Sequence, residues 1–563
     1  MKRIALFCPI AATVSVFLSG GIAISAPSSV PQPGTGEKRL TRFPGLGNHS
    51  RKITTAHPEA QRYFDQGLNF LFAFNHDEAI RSFQQAAAID PDCAMAYWGI
   101  AISCGPHINF PMVLPDRAKT ASDALVKATA LAPNGTPAEK AMIDALGKRY
   151  ADPQPENRRP LDEAYVTAMR SVWEQYPQDG DIGALFAESL MDLRPWDLYT
   201  TDGKPQPETP EILSVLESVL KTTPRHPLAL HLYIHAVEAG PNPQKAKVAA
   251  AGLRKLLPGL GHMVHMPSHI DVRLGDWQQA VAANESAIAT DRTYTRVAKK
   301  QDFYRVYKAH NYHMLAFAAS MQGDSKRAIG AIRNLVNDMP IQWRRENPAF
   351  ADGYLAMPVE VLMRFGRWQE ILKEPEPDAI YPIARTLRHA GRGVAFGATN
   401  KMAAALAEQK AFRAAADRCP KDAFIGNNSA ANIFAVVDAL LEGELKLRQG
   451  KTDAGLQSLR KAVAAEDQLR YDEPPDWFYP TRHALGAALL QADHAAEAEA
   501  VYRADLKRWP ENGWSLYGLE SSLKKQGKKA EAAQVNVRYR KVWRHSDLTL
   551  TTSCLCLADK SAR

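Results

Sequence analysis

The chain has 563 residues, 45% of them hydrophobic and 23% charged, with a formal net charge of +8. This is globular composition, and the length allows an extended core or several domains, so wholesale disorder is excluded. Six cysteines spread over such a length are no disulfide framework, and a chain of this size does not require one.

The first residues, MKRIALFCPIAATVSVFLSGGIAISA, run from a basic start through an apolar stretch to small residues. That order predicts a secretory signal peptide over residues 1–26, cut near Ser25 or Ala26. The mature protein is then exported, periplasmic or secreted, and keeps Cys93, Cys104, Cys419, Cys554 and Cys556. No later segment approaches the roughly 18 apolar residues of a membrane span, so no transmembrane segment is expected. Residues 27–55 are rich in Pro, Gly, Ser and Thr and read as a flexible leader. From residue 56 the pattern changes: AQRYFDQGLNFLFAFNHDEAIRSFQQAAAIDPDCAMAYWGIAI alternates helical apolar stripes with a short polar turn and closes at Asp90-Pro91.

Counted from Ala60, this stretch places Tyr63 at position 4, Gly67 at 8, Ala79 at 20, Phe83 at 24, Ala86 at 27 and Pro91 at 32. In that arrangement it resembles a tetratricopeptide repeat, a 34-residue helix–turn–helix unit. The same ruler laid from Tyr479 finds Gly486, Ala498, Tyr502 and Pro510 at positions 8, 20, 24 and 32. Laid from Gly513 it finds Ala532 at position 20, and a weaker copy from Val436 finds Gly443 and Ala462 at 8 and 27. The resemblance implies an all-α, tetratricopeptide-type helix–turn–helix solenoid, because such a pair buries its apolar face only by stacking on neighbours. The expected divisions are N-terminal repeats with insertions over 56–225, histidine-bearing repeats over 226–340, irregular helical repeats over 341–430, C-terminal repeats over 431–545 and a tail over 546–563.

The middle division carries the chemistry. HLYIHAVEAG begins at His231 and HMPSHIDVRL at His265, and both carry histidines four residues apart, offset by 34 residues. Repeat frames beginning at Pro227, Gly261 and Ala309 put Ala246, Ala280 and Ala328 at position 20. His231, His265 and His313 then share position 5, His235 and His269 share position 9, and His262 and His310 share position 2. Glu238 follows at position 12. The resemblance implies that positions 2, 5, 9 and 12 line the concave groove. Eight of the 16 histidines fall between His226 and His313, against about 2.5 for uniform scatter. The HMPSH core also resembles that of exported bacterial repeat proteins, a likeness that implies no activity. Pro267 interrupts the symmetry: a helix that starts there would leave His262 and His265 on a loop.

Three readings stay open. His231, His235, His265 and His269 are candidate metal ligands, since neutral imidazoles suit Zn, Cu, Ni or Fe, with His262, His310, His313 and Glu238 as further ligands or supports. The same side chains could instead hydrogen-bond a peptide or acidic ligand with pH-dependent strength. They could also bond one another in a purely structural network.

Glu188 and Asp192, four apart on a helix, and Glu360, at position 9 of a frame from Asp352, are further groove candidates. Cys104 and His107 have the spacing of a soft-metal pair, but a buried structural thiol is the commoner case. The Cys554-Leu555-Cys556 tail could take a soft metal, though a spare exposed tail is the plainer reading. DEPPDWFYPTRHALG reads as a packing loop. Between Arg503 and Arg544 eleven Lys and Arg face four Asp and Glu, a basic end that could meet an anionic surface. Stacking aromatics among those cations are not evident, so no nucleic acid is expected. Phosphate-binding, dinucleotide and hydrolase signatures are absent. The expected function is an exported binding or scaffold protein with a histidine-rich concave groove that takes a protein or peptide, with or without a divalent transition metal. The alternative is a metal-dependent hydrolase or oxidase in which the histidines hold the ion for a small-molecule substrate and Glu238 is the first candidate for proton transfer.

Overall fold

The structure, a computed structural model, describes residues 40–298 and 300–557. The expected export signal, the first part of the leader and the last residues of the tail lie outside them. The described chain is helical apart from one hairpin, Phe424–Ile425 paired with Asn428–Ser429. Local chemistry sets the helix ends. Proline occupies the first turn of Pro58–Phe72, Pro137–Leu146, Pro227–Glu238 and Pro267–Leu274, where no backbone donor is lost. Thr136 and Glu139 form a reciprocal capping box ahead of Pro137–Leu146.

Consecutive helices pack as pairs, among them Pro58–Phe72 on His76–Ile89, Tyr304–Met321 on Ser325–Asp338 and Ala430–Arg448 on Thr452–Asp467. The alanines at position 20 of the repeat frames, Ala79, Ala246, Ala280, Ala328, Ala498 and Ala532, are all fully enclosed. A second device recurs at both ends of the chain. The Phe83 ring is wedged between Gly67 and Gly99, where an added Cβ would stand 2.8 and 2.4 Å from it. The Tyr502 ring is wedged in the same way between Gly486 and Gly518, at 2.4 and 2.1 Å. In each case the two glycines lie 16 residues before and 16 after the aromatic. The ring fills the space between two successive first helices, so close packing rather than helix propensity sets their approach.

The apolar interior falls into an N-terminal cluster from Ile53 to Tyr307 and a C-terminal one from Ala351 to Leu557. A third joins the middle repeats to the C-terminal end through Phe317, Phe478, Trp509, Trp514 and Trp543. Polar contacts reinforce that junction: Trp277 Nε1 donates to Pro510 O at 3.0 Å, and Trp514 Nε1 donates to Ser320 O at 2.7 Å. The chain therefore folds back on its own middle. The open groove expected along the histidine repeats is occupied there by the loop through Tyr471 and Glu473.

Two further expectations are corrected. The stretch read as a flexible leader to residue 55 is, from Leu40 onward, a fixed strap. Its Leu40 and Phe43 N–H groups donate to Gln85 and Gln66, Thr54 bonds Glu139, and Arg51 pairs with Asp179 and Asp181 at 2.8 and 3.1 Å. Gly259 meets this strap so closely that a Cβ would lie 2.2 Å from Pro44 O. The cysteines of the tail are not exposed either, since Cys554 and Cys556 are buried and joined by a disulfide. At the basic end, Arg503, Lys525, Lys528 and Arg538 are spent on pairs with Glu499, Asp493 and Glu511. Among the described residues no helix is long and apolar enough to cross a membrane.

The wedged rings make a direct prediction. Gly99→Ala and Gly518→Ala should each lower the unfolding free energy by about 1–3 kcal/mol, as overpacking of a filled core does. Gly330, helical with nothing within 4 Å of an added Cβ, is the control. Gly330→Ala should leave the denaturant midpoint unchanged or raise it.

Candidate metal centre

The Pro227–Glu238 helix is buried at every one of its 12 positions. His226 caps it, its Nδ1 accepting the Ala229 N–H at 3.2 Å. Spacing then puts His231, His235 and Glu238 along one face. The facing segment is Gly261–His265 followed directly by Pro267–Leu274. Met266 between them keeps helical angles, φ −49° and ψ −39°. Pro267 therefore starts a helix without breaking the path, and His262 and His265 lie on helix rather than loop. The third contributor is Tyr304–Met321, which brings His310.

One ring nitrogen each of His231, His235 and His262 lie within 4.8 Å of one another, and the same holds for His265, His269 and His310. The two groups abut: the His235 and His269 rings are centred 5.3 Å apart, and those of His262 and His265 5.7 Å apart. All are buried except His310, which is half-buried.

The outer nitrogens are fixed. His231 Nδ1 lies 2.8 Å from Phe72 O, His235 Nδ1 2.7 Å from Glu238 Oε1, His269 Nδ1 2.5 Å from Glu238 Oε2 and His265 Nδ1 2.6 Å from Asn284 Oδ1. Asn284 is itself oriented by its Nδ2, which donates to Ala280 O at 2.8 Å. Every one of these partners accepts, so each Nδ1 carries the proton, and the Nε2 of each neutral ring presents a lone pair inward. The inner nitrogens meet: His265 Nε2 and His269 Nε2 are 2.7 Å apart and His231 Nε2 and His262 Nε2 3.1 Å, hydrogen bonds whose donor is set by the tautomer, while His235 Nε2 and His262 Nδ1 have no hydrogen-bond partner.

Burial, reinforced by neighbouring imidazoles, holds His231, His262, His265 and His310 well below the ordinary histidine range. Burial also lowers His235, against the pull of Glu238. It opposes protonation of His269 too, but there the Glu238 charge and hydrogen bond prevail and raise the ring. Burial alone would raise Glu238; the His269 charge and the two imidazole hydrogen bonds outweigh it and carry the carboxyl down to about 2. The Tyr471 hydroxyl lies 3.2 Å from Glu238 Oε2 and 2.5 Å from Glu473 Oε2. Burial pushes Glu473 up to about 8.

This donor set fits a transition metal. Imidazoles with anchored Nδ1–H groups and inward Nε2 atoms are how histidine ligands are held, and His231, His235, His265 and His269 each have a carbonyl or carboxylate behind the ring. A tetrahedral ion at 2.0–2.1 Å keeps its nitrogens about 3.3 Å apart. The His231–His262 pair needs almost no movement to meet that spacing, and the His265–His269 pair must part by roughly half an ångström.

The remaining sequence candidates do not join this cluster. Glu188 and Asp192 are buried beside Arg149, which bonds Asp192. His313 and Glu360 lie by Phe478: the His313 ring is 6.1 Å from the phenyl ring, and Glu360 accepts the Phe478 N–H at 3.2 Å. Sequence reasoning missed Asn284 and Tyr471, and it read Glu473 as part of a packing loop. Asn284 sits on a second helix and the loop lies outside any repeat frame, so neither carried a periodic signal.

Two other groupings are closed. His49, Asp181 and His226 come together, but His226 spends Nδ1 on Ala229 and Nε2 on Asp181, which Arg51 also neutralises. Glu444 meets Cys554 and Cys556, whose sulfurs are already bonded to each other.

No family model matches the chain, and no curated protein matches it. Solved structures similar to it include a human IFIT1 dimer with m7Gppp-AAAA, 13% identical, covering 87% of this chain and 91% of that one with a TM-score of 0.36. Another is Cut9 in the APC/C hetero-tetramer Cut9-Hcn1, 12% identical, covering 85% and 76% with a TM-score of 0.33. Likeness this shallow says nothing of what the chain binds.

Glu360 gives a pH prediction. Burial raises its carboxyl from 4.5 to about 8. The folded form then keeps a proton that the unfolded chain has lost between those values, so stability falls as pH rises through the window. Glu188 and Glu444, each raised to about 7 by burial, act in the same direction. Glu360→Gln should raise Tm by about 1–3 °C at pH 8 and leave it unchanged at pH 4 in differential scanning calorimetry.

Proposed function

We propose that the protein is an exported metal-binding protein, a tetratricopeptide-type scaffold built around a histidine-held transition-metal centre rather than around an open peptide groove. The observation that carries this reading is the convergence of six imidazoles, four of them with Nδ1 held by an acceptor, among which His235 Nε2 and His262 Nδ1 are buried with no hydrogen-bond partner. The N···N contacts at 2.7 and 3.1 Å either share a proton as hydrogen bonds or turn two donors toward one ion. A proton on His269 serves the first pair and the Nε2–H tautomer of His262 the second, which still leaves the buried His235 Nε2 and His262 Nδ1 lone pairs unused. A set of nitrogen donors with no carboxylate among the inward-facing atoms favours Zn, Cu or Ni over the oxygen-preferring cations.

A bound ion of this kind would supply Lewis-acid chemistry or, with copper, electron transfer. The chain's own residues set the conditions. Phe72 O, Asn284 and Glu238 hold the rings in register, and the Tyr471–Glu473 loop and the Phe74 ring keep water from the cluster. Phe74 lies 4.4 Å from the His231 ring centre and 5.9 Å from that of His262. His310, half-buried, is the side from which a small molecule would approach, and this favours the enzymatic alternative as the second reading.

The test is elemental mass spectrometry on tag-free protein, beside a His231→Ala/His265→Ala double variant whose circular dichroism confirms its fold. Stoichiometric transition metal in the wild type, lost in the variant, is the expected result. Absence of metal from the wild type after reconstitution with Zn2+, Cu2+, Ni2+ and Fe2+ would overturn the reading.

A further inference from the structure

We propose that the centre is dinuclear, with one ion held by His231, His235 and His262, a second by His265, His269 and His310, and Glu238 as the positioning residue that couples them. This rests on the reading of the cluster as a metal centre and deepens it.

A single tetrahedral ion takes four ligands, and six imidazoles converge here in two groups of three. The division follows the chain only in part. His231 and His235 come from one helix and His262 from the segment formed by Gly261–His265 and Pro267–Leu274, while His265 and His269 lie on the two successive helices of that same segment and His310 comes from Tyr304–Met321. Each group is thus pinned by two elements, and the segment between Leu260 and Leu274 serves both.

Within each group two ring nitrogens already face each other at hydrogen-bond distance, His231 and His262 at 3.1 Å and His265 and His269 at 2.7 Å. The third members complete them: His235 carries an unpartnered buried Nε2, and the His310 ring is centred 4.6 Å from His265. Three protein nitrogens per ion leave a fourth position open on each, the arrangement of reactive rather than purely structural sites.

Glu238 links the halves. It is fully buried, and its two oxygens bond one ligand of each group, His235 through Oε1 at 2.7 Å and His269 through Oε2 at 2.5 Å. Neither oxygen is aimed at the inward-facing nitrogens, so Glu238 acts through the rings. It fixes both tautomers and raises the basicity of one donor in each group. Its negative charge also offsets part of the charge of two cations in a water-poor interior.

The experiment uses the full tag-free chain, stripped with chelator and titrated with Zn2+ and separately with Cu2+. Two ions per chain are expected for the wild type, and one each for His262→Ala and for His310→Ala, with none for the pair combined. His310 is half-buried, so its variant keeps the test sound even where His262→Ala fails to fold. In the Cu2+-loaded wild type, electron paramagnetic resonance should show an attenuated, spin-coupled signal, and His310→Ala should restore a mononuclear one. Glu238→Gln should weaken both sites, by about 10–100-fold each. One ion per chain in the wild type, or loss of all metal in His310→Ala alone, would overturn the dinuclear proposal and leave the metal reading standing. Binding of neither metal would overturn both.

Discussion

Burial of a single carboxylate orders the middle of this molecule. The Pro227–Glu238 helix has no face in solvent, so Glu238 cannot be hydrated there. An unpaired buried charge is among the costliest features a fold can hold, and it persists only with hydrogen-bond donors on its lone pairs. His235, His269 and Tyr471 supply those donors. Once two imidazoles have committed Nδ1–H to this task, their remaining nitrogens turn inward, and the geometry of the cluster follows.

Residue types alone do not produce that outcome. His49, Asp181 and His226 are as close together as the central histidines, yet Arg51 and the Ala229 N–H take up their polar atoms. What separates the two clusters is where lone pairs are left over. Neighbouring carboxyls follow the same logic, since burial, with the Glu238 charge adding to it, pushes Glu473 up to about 8.

The fold was legible because small residues are required wherever helices approach closely. Ala246, Ala280 and Ala328 marked the repeats, and those repeats put His231, His235, His262, His265, His269 and His310 on facing helices. The limits were equally physical. A repeat frame fixes direction around a helix but not what lies across from it, so Arg149 beside Asp192 and the loop over Glu238 were invisible. The insertion before Ala309 breaks the constant offset, and there His310 meets the His265 and His269 rings while His313 turns to Phe478. Composition misled at the strap, because there Gly45 and Gly47 serve positive-φ bends and Ser50, Thr54 and Thr55 donate their hydroxyls to Asp65, Glu139 and Asp90.

Tyr471, which closes over Glu238, lies 233 residues further along the chain. The histidine helices are complete long before their cover has been made, and the cluster is covered at Glu238 only when the C-terminal part of the chain returns to the middle. Anything that occupies the centre thus has an interval during biogenesis in which entry needs no opening of the finished fold. A product cut short of that loop would keep all six imidazoles and lose their shelter.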